Sequence, residues 1–119
     1  MGVTPLRNKL KKSAKLHKIA LSVGDAYVVA FHGTKRAFFF DAMSEIKAKA
    51  KGDRDRDLKI NALTVAISLT DDKGNFAYSE DQYEDVIAEM LSVDIDKVVE
   101  LSLDINGMNV KSTEAHKKK

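Results

Sequence analysis

From Leu58 to Leu69 the chain carries Leu58, Ile60, Ala62, Leu63, Val65, Ala66, Ile67 and Leu69, with only Lys59, Asn61, Thr64 and Ser68 polar. A helix with so little polar surface must be covered on most sides, so the rest of the chain is read as its cover. Its start is well marked. Asp53 and Asp55 suit the positive end of a helix, and Asp55 with Lys59 makes an i, i+4 ion pair. The spacing predicts Leu63 and Ile67, one turn apart, as core positions.

The covering elements follow from turn and cap signals. From His17 to Val23 and from Ala26 to Phe31 the residues are largely apolar, and Gly24-Asp25 between them offers turn chemistry. This predicts a hairpin with Ile19, Leu21, Tyr27 and Val29 packed on the helices, since an isolated hairpin is marginal in water. Thr34 is a candidate cap for a helix over residues 35–51, in which Phe39, Met43, Ile46 and Ala50 share a face and which Gly52 ends. Asp72-Lys73-Gly74-Asn75 has the composition of a turn. Ser79 and Gln82 then form a capping box for a helix lined by Tyr83, Val86, Ile87 and Met90, ending near Leu91. Ser92 or Asp94 restarts a last helix with Val98, Leu101 and Ile105 inward, Ile95 and Val99 flanking, and Asn106-Gly107 as its stop. The expected fold is mainly α (α+β), an N-terminal β-hairpin packed on about four α-helices. Residues 17–107 form the single domain, 1–16 a flexible basic arm and 108–119 a flexible basic tail.

At 119 residues and 44% apolar, one modest core is the expectation. There is no cysteine, which excludes disulfides, thiolate metal sites and cysteine nucleophiles. No apolar stretch approaches the ~20 residues of a membrane span, and the basic start lacks the apolar region of a signal peptide. The net charge of +2 is unevenly spread. Residues 1–20 carry +6 and residues 108–119 carry +3, which leaves −7 for the body between them. Between Asp71 and Asp104 there are eleven acids against Lys73 and Lys97. No aromatic residue interleaves the cations of the arm, so a solvated arm is favoured over a nucleic-acid grip.

No catalytic motif is recognisable. His17, His32 and His116 fall in different elements without metal-ligand spacing. The DxDxD of residues 53–57 has Leu58 where a calcium loop needs glycine and Thr64 where it needs glutamate. Neither an enzyme nor a cofactor is expected. One charge pattern stands out: Asp81, Asp85 and Glu89 recur at i, i+4, i+8, and Asp96, Glu100 and Asp104 repeat that spacing on the next helix. Like charges so placed oppose helix formation by ~0.2–0.5 kcal/mol per pair. A solvated face that aids solubility is the plain explanation; a docking stripe for a basic partner is the functional one.

The stretch DRDRDLKINALTVAISLTDDKGNFAYSEDQYEDVIAEM followed by VVELSLDING resembles the tail assembly chaperones of long-tailed bacteriophages, the lambda G-type family. The likeness lies in a charged start, an apolar helix ending in Ser-Leu-Thr-Asp, a Gly-Asn turn, a capped helix, and a last helix closing on Leu-x-x-Asn-Gly. The sequence departs from similar proteins at Ala30-Phe31, where an arginine is common, and at Leu91-Ser92, where Leu-Pro is common. The resemblance implies a non-enzymatic chaperone of the host cytoplasm, absent from the mature virion. It would bind and solubilise the tape measure protein, recruit tail tube subunits and form a homo-oligomer. It also implies a longer product made by a programmed frameshift, and Lys117, Lys118 and Lys119 are compatible with an A-rich slippery codon run. Two other classes stay open from sequence: a small nucleic-acid-binding accessory protein acting through the basic arm, and a structural tail or connector protein of the virion.

Overall fold

The computed structural model describes residues 5–7 and 15–108. Residues 5–7 are helical; most of the predicted arm, and all of the predicted tail except Met108, lie outside the described residues. The described chain is α+β, with a small antiparallel sheet packed on helices. In order it runs β1 (His17–Leu21), β2 (Gly24–Val28), α1 (Gly33–Lys49), α2 (Asp53–Ser68), β3 (Leu69–Thr70), a 3-10 turn (Glu80–Gln82), α3 (Tyr83–Glu89) and α4 (Ser92–Ile105).

The helix α2 is the axis of the molecule. Every residue from Ala62 to Thr70 is buried, including the polar Thr64, Ser68 and Thr70. The helical hydroxyls are accommodated by back-bonding: Thr64 donates to the Ile60 carbonyl at 2.9 Å and Ser68 to that of Thr64 at 2.6 Å. This satisfies both donors without water and lets a polar residue face the core. At its start the Lys51 N–H donates to Asp55 Oδ2 at 3.1 Å, a bond that holds the Asp55 carboxyl below the usual aspartate range, and Lys59 pairs with the same oxygen at 3.3 Å.

The apolar run does not stay helical to its end. At Leu69 the backbone turns extended (φ −82°, ψ 126°), and Leu69–Thr70 pair with Val28 and Tyr27 of β2. The hairpin thus acquires a third strand that the apolar periodicity concealed, because a two-residue buried strand cannot be told from a last helical turn by composition. Phe76 then bridges to Thr70, and the Ala77 N–H donates to the Leu69 carbonyl at 3.0 Å. Between them Asp71 closes the turn by accepting the Asn75 and Lys73 N–H groups, each at 2.9 Å, which lowers its pKa, and Gly74 takes the positive φ of 84°.

The hairpin forms with a different turn; β1 packs through Ile19 and Leu21 as predicted, but β2 presents a different face. Leu21 pairs with Gly24, so the reversal is Ser22-Val23, and Gly24 enters β2 with φ 132°. Since directly paired residues share a face, Ile19 and Ala26 point together into the core with Leu21 and Val28. Tyr27 therefore belongs to the opposite face, and Val29, although buried, lies beyond the strand. The helix α1 also starts without the predicted Thr34 cap: His32 is the N-cap residue, with no side-chain cap bond. As the spacing predicts, Phe39 and Ile46 are buried and Met43 is packed beside them, but the helix ends at Lys49, so Ala50 is its extended C-cap and Gly52 is instead the N-cap of α2. In α4 the buried stripe is Asp94, Ile95, Val98 and Ser102, with Leu101 and Ile105 only half-buried.

Two polar latches close the fold across the sequence. The Ser22 N–H and hydroxyl both donate to Asp94 Oδ1, at 3.1 and 2.9 Å. The Phe31 N–H donates to Asn106 Oδ1 at 2.8 Å, while Asn106 Nδ2 donates to the Ser102 carbonyl. Asn106 thus anchors α4 to the segment between sheet and α1, in addition to preceding the Gly107 stop (φ 70°).

Candidate partner-binding surface

All six acidic stripe residues are exposed. They do not form one continuous band. Asp81 sits in the 3-10 turn, with Asp85 and Glu89 on α3, so the first triplet is not carried by a single α-helix as its spacing predicts. The capping box of Ser79 and Gln82 is what tightens this first turn: both of its reciprocal bonds are present, and the Ser79 N–H donates to Gln82 Oε1 at 3.0 Å. Asp96, Glu100 and Asp104 lie on α4, which packs against α2 separately from α3.

The surroundings of the first triplet differ from end to end. Asp81 lines a cleft of about 500 Å³ between α1, α2, the 3-10 turn and the start of α3. That cleft is mixed in charge, with Lys49 and Lys59 facing Asp41, Glu45 and Glu84. Glu89 accepts the Tyr78 hydroxyl at 3.1 Å. Burial of the ring, and then this bond to a carboxylate, raise the Tyr78 pKa, so the phenol stays protonated beyond its ordinary range.

Glu89 also borders a second groove, of about 530 Å³, between the hairpin tip, the strand end at Leu69–Asp71, the Phe76–Tyr78 segment and the α3–α4 junction. Sequence reasoning missed this site. Three large apolar side chains that face solvent line it: Val23 at 94% exposure, Leu91 at 60% and Phe76 at 42%. The sequence pattern places Val23 at the end of a strand and Leu91 at the end of a helix. The displaced turn puts Val23 at the hairpin tip, and the helix break at Met90 leaves Leu91 outside. One face of Phe76 is already taken by Lys35, whose Nζ lies 3.6 Å from the ring centroid and pairs with Glu80 at 3.3 Å.

Among the described residues no three His, Asp or Glu side chains group to hold a metal ion, and no helix is long and apolar enough to cross a membrane. No family model, curated protein or solved structure matches the chain.

Proposed function

We propose that this protein is a tail assembly chaperone of a long-tailed bacteriophage, a non-enzymatic protein of the host cytoplasm. It binds and solubilises the tape measure protein, helps recruit tail tube subunits, acts in several copies and is absent from the mature virion. The order of features in residues 53–107 carries this reading: charged helix start, apolar helix, Gly-Asn turn, boxed helix and Asn-Gly close. Two physical features support it. A body of charge −7 suits a soluble coat for a long apolar-rich client, and the exposed acids offer basic client positions long-range attraction.

The test is co-expression with the tape measure protein of the same phage genome. The client should become soluble and purify with several copies of this chain. Replacing Asp81, Asp85 and Asp96 with Asn and Glu100 with Gln should weaken that complex and make its loss with salt less steep, while leaving thermal stability equal or slightly higher, because like-charge repulsion is relieved. A client that stays insoluble beside the wild-type chain overturns the reading; a client solubilised equally by the neutralised variant at every salt concentration removes the stripes from it.

A further inference from the structure

The groove beside Glu89 differs from the rest of the surface in two independent ways. First, it gathers Val23, Phe76 and Leu91, three of the seven large apolar side chains that are exposed among the described residues. Apolar groups so clustered, in a concavity within the ~300–1,000 Å³ range of binding clefts, mark an interaction site where scattered ones do not. Second, its ionisable lining is all acidic. Asp25, Asp71, Glu89 and Asp94 contribute, and no lysine or arginine does. Asp25 pairs with Lys18 at 3.2 Å and Asp71 feels the nearby Lys73, whereas Glu89 and Asp94 accept hydrogen bonds from the neutral Tyr78 and Ser22 hydroxyls. The cleft beside Asp81 has neither property, since lysines line it and its apolar residues, among them Leu63, Ile46 and Phe38, are buried or half-buried.

We propose that this groove binds an amphipathic basic peptide segment, with apolar side chains against Val23, Phe76 and Leu91 and flanking lysine or arginine beside Glu89 and Asp71. Resting on the chaperone reading, that segment is part of the client, so the groove retains the client while the stripes attract it. Burial of apolar anchors in a concave site governs how slowly a partner leaves, and exposed charges govern chiefly how fast it arrives.

The experiment uses the full chain and a fluorescent Leu/Lys peptide patterned as an amphipathic helix, with a Leu/Glu peptide of the same pattern as control, read by anisotropy at physiological salt. The wild type should bind the Leu/Lys peptide and not the Leu/Glu one. Val23→Lys and Leu91→Lys together should weaken that binding about tenfold or more at an unchanged melting temperature, both side chains being exposed. No binding by the wild type, or binding indifferent to the two lysines, overturns the proposal. So does binding that emerges only when Lys9, Lys11, Lys12 and Lys15 are changed to Gln, which assigns the groove to the chain's own arm. Self-association abolished by the two lysines, without peptide binding, assigns it to a second copy. Peptide binding without client solubilisation leaves the groove standing and removes the chaperone reading; client solubilisation without peptide binding does the reverse.

Discussion

The two sides of α2 are built on different plans. On one side Leu63 and Ile67, large and fully buried, receive chiefly α1, through Phe39 and Ile46, with Phe31 and Tyr83 packed beside them. On the other, Ala62, Val65 and Ala66 meet β2, α3 and α4 together, through Val28, Val86, Ile95 and Val98. Small side chains let several backbones approach one helix, whereas large ones fill the space in front of a single partner. The same apolar run is therefore a knob on one side and a floor on the other.

Substitutions at these positions can break that contrast. Leu63→Ala should cost about 2–5 kcal/mol, because Phe39 and Ile46 sit on a helix whose own hydrogen bonds resist collapse into the space left. A melting temperature indifferent to it would mean that α1 is not seated on α2. Ala66→Leu asks the opposite question. On a floor shared by three elements, added methylenes should destabilise by about 1–3 kcal/mol, and a neutral outcome would show room there that the packing does not. The smallest effect should be a gain. The Ser102 hydroxyl is fully buried on the crowded side and has no hydrogen-bond partner among the described residues. Ser102→Ala should thus raise stability by up to about 1 kcal/mol in denaturant titration, since an unpaired buried hydroxyl is removed with little change of volume. A loss instead would reveal a bond that the hydroxyl makes.

Much of the fold was legible in the sequence, for identifiable reasons. Leu63, Ile67, Phe39, Ile46 and Val86 repeat at helical spacing, and Asp53, Gly52, Gly74 and the Ser79–Gln82 box punctuate the chain where the backbone changes. What stayed hidden depends on pairing between distant residues. Neither β3 nor the Ser22-Val23 turn has a local signal, because Leu69 becomes a strand only where β2 lies beside it, and Gly24 can provide positive φ within a turn or just after one. The helix α4 packs on the core through Val98, Leu101 and Ile105 as the spacing predicts, but Asp94, Ile95 and Ser102 lie deeper than Leu101 and Ile105, which hydrophobicity does not indicate. The stripe acids were correctly placed on the surface, yet spacing along the chain could not reveal that Asp81 and Glu89 open onto two different clefts.

The latch between Ser22 and Asp94 joins residues 72 positions apart, and that between Phe31 and Asn106 spans 75. Such distant closures are the slow part of folding, because chain entropy must be lost before the contact can form. During synthesis, at about 5–20 residues per second, the hairpin emerges first and then waits several seconds for α4 to leave the ribosome. Until then Ile19, Leu21 and Val28 have no complete cover, and a hairpin without cover is marginal in water. The hairpin residues are thus synthesised early and locked last, so the arrival of α4 decides whether β1 and β2 reach their native packing.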